Sequence, residues 1–211
     1  TVLASLLAPR VAEHVGWHAT MGLASFPLAA AFLLFLVLAK EPGRSPAKRL
    51  VAYLQPLTQK DTWYFNVFYS LTFGGFVGLA SFLPVFFRDQ YGVTKVQAGT
   101  LAAACVLAGS MLRPVGGFLA DYLGGIRTLS LCYSLAAVGL LGAAALPPLW
   151  TAVLLFLFGT SLLGIGNGCV FQLVPQRFPR DIGVVTGIVG AAGGLGGFFL
   201  PSMFGLAKQW T

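Results

Sequence analysis

The chain has 211 residues, of which 57% are hydrophobic and 9% are charged. A soluble domain carries about 25% charged residues, so this composition excludes a water-soluble globular protein and indicates a polytopic membrane protein. The net charge of +7 is not gathered on a polar domain, so we expect no nucleic-acid partner. The three cysteines lie in apolar segments without metal-ligand spacing, and we expect neither a metal nor a cofactor.

Apolar segments recur along the chain at the length of about 20 residues that a membrane-spanning helix requires. A short apolar stretch at residues 1–9 ends near Pro9 and Arg10. Six full spans follow, at residues 17–39, 63–87, 96–120, 126–146, 149–174 and 182–207. We therefore predict an all-α bundle of membrane helices. Because residues 1–9 resemble the end of a helix, we expect the chain to be a fragment of a longer protein.

The connections between the spans differ in positive charge. If the only long polar connection, residues 40–61, is cytoplasmic, alternation places eight basic residues inside and four outside, with Arg113 in the membrane. The inner eight are Lys40, Arg44, Lys48, Arg49, Lys60, Arg127, Arg177 and Arg180, and the outer four are Arg10, Arg88, Lys95 and Lys208. This bias predicts a multi-pass protein of the cell (inner) membrane with loop 40–61 in the cytoplasm.

The order of the spans is that of a transporter built from two six-helix halves. Residues 1–39 would then end the N-terminal half, and residues 40–61 would join the halves. Residues 62–211 would form the C-terminal half, with five spans and without its last helix.

Arg113 is the only charged residue between Val96 and Ala120. It lies eight residues from Asp121, or about 12 Å at 1.5 Å per residue, which is near the middle of the hydrocarbon core. Its neighbours at helical spacing are small (Gly109, Ser110, Gly116 and Gly117), so we expect it to face other helices or a cavity. One interpretation is an arginine that bonds only backbone carbonyls or a buried acid. The other, which we favour, is an anion-coordinating arginine whose fork donates two parallel hydrogen bonds.

The segment "GGFLADYLGGIR" (116–127) lies at a predicted cytoplasmic turn. It resembles the G-x-L-A-D-x-x-G-x-x-R signature of the major facilitator superfamily, except that Tyr122 stands where the signature usually has a basic residue. The matching positions are Gly117, Leu119, Ala120, Asp121, Gly124 and Arg127. The resemblance implies a conformational motif whose charges hold two helix ends together in one state. The alternative is a simple polar turn.

Two more segments carry unusual patterns. In "GTSLLGIGNGCVFQLVP" (159–175), Asn167 and Phe171 are four residues apart and share a helix face. A mid-membrane amide requires a partner, which is either another helix or a ligand. Farther along, glycines at steps of four and three form one stripe without side chains, against which we expect another helix to pack and slide. The stripe comprises Gly183, Gly187, Gly190, Gly194 and Gly197.

This stripe, the GNG segment and "FYSLTFGGFVG" (68–78) resemble the nitrate/nitrite porter family over nearly the whole chain. In that family nitrate is held between one arginine from each half, with aromatic rings near its faces. The resemblance implies that Arg113 is the arginine of the C-terminal half, Tyr69 a hydrogen-bonding tyrosine and Phe171 an aromatic wall. Asn167 falls in the matching GNG motif. The partner arginine would lie outside this chain.

We therefore predict a secondary transporter of nitrate and/or nitrite that works by alternating access, as a monomer in the lipid bilayer, and serves nitrate assimilation. Proton symport and nitrate–nitrite exchange both remain open, and the absence of acids from the predicted spans favours exchange. A rival hypothesis is a facilitator for another small anion or organic solute. The second rival hypothesis is a membrane enzyme or a structural subunit. The predicted spans contain no nucleophile–base or metal-ligating cluster that an enzyme would need.

Overall fold

The computed structural model describes residues 2–40 and 53–210, so most of the loop predicted at 40–61 lies outside the described residues. Within those ranges all regular elements are helical. The helices are α1 (Val2–Leu23), α2 (Ser25–Leu38), α3 (Lys60–Tyr91), α4 (Lys95–Met111), α5 (Arg113–Leu119), α6 (Gly125–Ala144), α7 (Leu149–Arg177) and α8 (Ile182–Trp210). A 3₁₀ turn at Gln55–Thr58 precedes α3, and a π-helical turn at Ala120–Gly124 follows α5. The predicted all-α membrane bundle is confirmed.

Five continuous helical stretches in the described ranges are long and apolar enough to cross a membrane. Two of them, Val2–Leu38 and Lys95–Ala144, are interrupted by glycines with positive φ, Gly16 (79°) and Gly124 (90°). Glycine adopts this left-handed backbone without the steric penalty that a side chain imposes. The breaks divide these stretches into the separate spans that the sequence predicts.

The first predicted boundary was wrong. We expected the helix of residues 1–9 to end near Pro9 and Arg10. Instead α1 continues through both residues, and its backbone first departs from helical geometry at Gly16. The Pro9 ring packs against α4, where its Cγ lies 3.1 Å from the position of a Cβ added to Gly99. Arg10 donates a hydrogen bond to Thr100 Oγ1 at 2.9 Å. Pro9 has no backbone N–H and so removes one hydrogen bond from α1. The contacts with α4 stabilise α1 at this point.

Glycines bring the helices of the bundle very close together. Between α3 and α8, a Cβ added to Gly74 would lie 2.6 Å from the carbonyl carbon of Gly196, and Ser70 Oγ donates to Ala192 O at 2.8 Å. Helices α4 and α5 approach α7 in the same way. Small residues permit such close backbone contact, which is what packs helices together in lipid.

Polar contacts lie at the two ends of the bundle. At one end Arg177 of α7 forms an ion pair with Asp61 of α3. At the other, the Tyr91 hydroxyl donates to Pro147 O at 2.7 Å. The interior between them is mostly apolar, with Leu83 and Phe87 fully buried, although it also holds buried polar side chains such as Thr160 and Asn167. Arg113 lies between these ends and is the charged residue that requires explanation.

Candidate functional site

The four predicted binding residues, Tyr69, Arg113, Asn167 and Phe171, line one cavity of about 480 Å³. They come from α3, α5 and α7, so the fold assembles the site from three separate segments. The other lining residues are Pro114, Gly117, Phe118, Asp121, Gly168 and Gln172. The predicted residues are therefore brought together in space, although their roles in binding stay predictions.

A second hollow, of about 580 Å³, lies at the end of the bundle beside Asp61 and Arg177. Its wall is mostly aromatic and aliphatic, and its arginine is already paired with its acid. An exposed ion pair of this kind is worth little and leaves no free charge for a ligand. The cavity around Arg113 is the better candidate because its arginine has no acidic partner among the described residues.

A break in the helix places Arg113 at the cavity. Helix α4 ends at Met111, and α5 begins at Arg113 with Pro114 as its second residue. Proline has no backbone N–H and is tolerated in the first turn of a helix, so Pro114 favours a new helix start here. The Arg113 carbonyl oxygen rests against Gly168 of α7, where an added Cβ would collide with it. The backbone of Arg113 is thus seated directly on α7.

The Arg113 guanidinium is not neutralised by any described residue. Its Nε atom is buried without a hydrogen-bond partner, and the side chain forms no ion pair with an acid in the described ranges. Its Cζ lies 5.2 Å from the ring centroid of Phe76 and 5.7 Å from that of Phe73, both within cation–π range. Among the described residues, neither partner of the first interpretation, a backbone carbonyl or a buried acid, forms a hydrogen bond or an ion pair with it.

The acid that lines the same cavity is occupied by other groups. Asp121 accepts hydrogen bonds from Gln172 Nε2 at 2.8 and 2.9 Å and from Gln176 Nε2 at 3.0 Å. The signature turn therefore joins α7 through amides, while the exposed Arg127 takes part in none of the ion pairs of the described residues. Gly124 has φ 90°, which explains its place in the turn.

Aromatic rings form one wall of the cavity. Tyr69 is 6% exposed and stacks on Phe73 with centroids 5.1 Å apart. Phe171 meets the Tyr69 ring edge-on at 4.7 Å and is 36% exposed. Tyr69 also rests on Gly193 of α8, where an added Cβ would collide with the ring. The tyrosine is thus fixed on three sides.

Asn167 is 2% exposed, and both its Oδ1 and Nδ2 atoms are buried without a hydrogen-bond partner. The interhelical hydrogen bond that we considered for it is not formed in the described residues. A buried amide without partners costs free energy, about 1–3 kcal/mol, unless a ligand or water satisfies it. Asn167 also lines the cavity, so its role as a ligand contact stays a prediction.

The glycine stripe differs from expectation. Four of its members have no described heavy atom within 4 Å of an added Cβ, and the fifth, Gly197, meets only the Val77 side chain at 3.3 Å. The four open positions are Gly183, Gly187, Gly190 and Gly194. The glycines of α8 that approach α3 closely are Gly193 and Gly196, on another face. Four of the five stripe glycines therefore do not pack against a described helix, and the role of the stripe as a sliding surface stays a prediction.

Sequence reasoning did not single out Phe73 and Phe76, whose rings lie beside Arg113, or Gln172 and Gly193, which contact Asp121 and Tyr69. Helical spacing could have found the two rings, because positions 73 and 76 follow Tyr69 by four and seven residues. Gln172 and Gly193 carry no comparable signal, since their contacts join distant parts of the chain.

This fold, a set of membrane-spanning helices around a cavity with an unpaired arginine, defines a multi-pass membrane protein. The family model described as Major Facilitator Superfamily matches residues 1–201, and the chain belongs to that superfamily.

The chain is 32% identical to the "Nitrite extrusion protein" of Bacillus subtilis (strain 168), with 100% of this chain and 54% of that protein covered. It is 36% identical to the "Probable nitrate/nitrite transporter NarK2" of Mycobacterium tuberculosis (strain ATCC 25618 / H37Rv), with 97% and 53% covered. It is 39% identical to the "Probable nitrate transporter NarT" of Staphylococcus carnosus (strain TM300), with 95% and 52% covered. The resemblance to nitrate/nitrite porters is confirmed, and the chain spans about half the length of these relatives. Their names are those of transporters, not of enzymes.

Proposed function

We propose that the protein containing this chain is a secondary transporter that moves nitrate and/or nitrite across the cytoplasmic membrane by alternating access. The observation that carries this proposal is the guanidinium of Arg113, which lines the cavity and has no neutralising partner among the described residues. An ionisable residue inside the membrane is costly, and an anion that compensates it explains why it is there. The names of the relatives supply the identity of the anion.

The cavity wall suits a flat, singly charged oxyanion. The Arg113 fork would donate two parallel hydrogen bonds to nitrate oxygens. The Tyr69 hydroxyl and the unpartnered Asn167 Nδ2 are further donors on the same wall. The Phe171 ring would pack on the anion and disfavour larger or better hydrated ones. In this proposal each of the four side chains contacts the substrate.

Alternating access requires two bodies that move against each other. We assign residues 1–39 to the end of the N-terminal half and residues 62–211 to the C-terminal half, joined by a cytoplasmic loop at 40–61. In support, neither α1 nor α2 contains a buried residue, as expected of helices whose own half lies mostly outside this chain. Gly117, Asp121, Gly124 and Arg127 would form the conformational turn, and the stripe on α8 would face the other half.

The cavity favours exchange over proton symport. Asp121 is the carboxylate on its wall, and amides from Gln172 and Gln176 already occupy it. We therefore expect nitrate uptake into vesicles to require nitrite on the opposite side. A dependence on a pH gradient without internal nitrite would contradict this expectation. The transporter would act as a monomer.

The decisive experiment is uptake of labelled nitrate by the full-length protein in proteoliposomes. Arg113→Lys should abolish uptake, because lysine keeps the charge but loses the two-pronged donor. The matched control is Arg88→Lys, at an exposed arginine beside Asp89 at the end of α3, which should transport normally. Uptake near the wild-type level by Arg113→Lys would remove this residue from the site. Competition by chloride, sulfate and organic anions tests the alternative, a facilitator for another solute.

A further inference from the structure

The Arg113 guanidinium contacts two phenylalanine rings, but these rings are not equivalent. Phe73 is half-buried and stacks on Tyr69, whereas Phe76 is 4% exposed and belongs to the apolar core. Phe76, like Phe73, is not among the residues that line the cavity. Its ring centroid is nevertheless the closer of the two to Arg113 Cζ, at 5.2 Å. Phe76 therefore contacts the arginine from the buried core, whereas Phe73 is tied to the aromatic wall through Tyr69.

We propose that Phe76 is a positioning residue, whose ring holds the Arg113 guanidinium in place by a cation–π contact and leaves its N–H donors and its charge available to the anion. This inference rests on the proposed transport of nitrate. In this inference Phe76 orients Arg113 from the apolar core and does not itself contact the substrate.

An aromatic ring suits this positioning role better than a carboxylate. A carboxylate would also fix the guanidinium, but it would accept the two parallel N–H bonds that an oxyanion needs and would cancel the positive charge. An aromatic face attracts the cation through its quadrupole, but it does not accept the two N–H bonds and does not cancel the positive charge. The structure agrees with this arrangement, because Arg113 Nε has no acceptor among the described residues and Asp121 is held by amides.

Phe76 is itself held firmly. A Cβ added to Gly109 would lie 2.5 Å from Phe76 Cε2 and 2.5 Å from Thr160 O, so the ring edge fills the space left by the missing side chain. Thr160 Oγ1 donates to Cys105 O at 2.9 Å and fastens α4 to α7 beside this point. Gly109 lies four residues before Arg113, in the last turn of α4, so the ring packs close to the point in the chain where α5 begins with the arginine. A rigid ring can orient a long, flexible side chain.

The test is a fluorination series at position 76 of the full-length protein in proteoliposomes. Replacing Phe76 by 4-fluoro- and then 3,4,5-trifluorophenylalanine withdraws charge from the ring face with little change in shape. The half-saturation concentration for nitrate should rise stepwise, by roughly tenfold in total, while maximal rate and protein abundance stay at the wild-type level. Phe76→Leu removes the ring altogether and should raise the half-saturation concentration for nitrate at least as much.

The same substitutions at Phe87 are the matched control. Phe87 is a fully buried phenylalanine of the same core cluster that packs edge-on against Phe156. Fluorination there should not change half-saturation. A flat series at Phe76 in a protein that transports nitrate would overturn the positioning role alone, as would an equal rise at both positions. Absence of nitrate transport by the wild-type protein would overturn the proposed function instead.

Discussion

Two sets of glycines in this bundle share helical spacing but have opposite surroundings. We call the first the closed seam; it joins α4 and α5 to α7 through Gly109, Gly116, Gly164 and Gly168. A Cβ added at any of these four glycines would collide with backbone atoms of the facing helix. The second is the stripe on α8, where Gly183, Gly187, Gly190 and Gly194 have nothing within 4 Å of an added Cβ. Spacing of glycines by three and four residues thus does not by itself identify a packed interface.

The difference indicates two uses of the same residue. In the closed seam the backbones of the two facing helices are in direct contact. Because this interface has no free space, it can fix the position of Arg113 on α7. The stripe leaves a smooth surface without a described neighbour. Glycine lowers helix stability, by about 1 kcal/mol per residue on water-based scales, so four open glycines on one face call for a function. A surface that a moving half must pass closely is the function that alternating access supplies.

The strongest way to separate the two regions is to add one methyl group to each. Gly168→Ala places a Cβ against the Arg113 carbonyl, so backbone atoms must shift. We expect a loss of about 3 kcal/mol in stability and loss of nitrate uptake, because Arg113 moves with its backbone. Gly187→Ala, which meets no described atom, should retain wild-type stability. Thermal unfolding of the purified full-length variants in detergent measures both. Equal stability of the two would show that the closed seam is not rigid.

A larger side chain on the stripe should separate stability from transport. Gly190→Leu adds a branched side chain where no described residue lies. We expect unchanged thermal stability and retained nitrate binding but no exchange, because the other half could no longer pass this surface. Isothermal titration with nitrate, beside vesicle exchange, measures the two properties on one protein. Normal exchange would mean that the stripe faces lipid.

Much of this architecture could be predicted from the sequence, and the exceptions have a physical reason. The spans follow from apolar length, and the position of Arg113 follows from its distance to Asp121 along a helix. Phe171 and Asn167 were singled out because they share one helix face, and both line the cavity. In contrast, the helix through Pro9 depends on Gly99 of another helix. Such contacts between distant segments leave no periodic signal in a single sequence, so they required the structure.

The subtlest difference lies within α8 itself, where Gly193 adjoins the stripe but faces Tyr69. Gly193→Ala should tilt the Tyr69 ring, which Phe73 and Phe171 otherwise hold. If the Tyr69 hydroxyl bonds nitrate, the variant loses about one hydrogen bond to a charged group, or 1.5–3 kcal/mol, and nitrate affinity falls by roughly tenfold to a hundredfold.

Tyr69→Phe removes the same hydroxyl without moving the ring and should weaken nitrate to a similar extent. The double variant should then be no weaker than either single one, because both changes remove the same bond and their effects cannot add. Nitrate affinities of the wild type and the three variants complete this cycle. Additive losses would mean that Gly193 acts through the α3–α8 packing and not through the tyrosine. Since Gly194, the next residue, meets no described atom, Gly194→Ala is the matched control and should bind nitrate like the wild type.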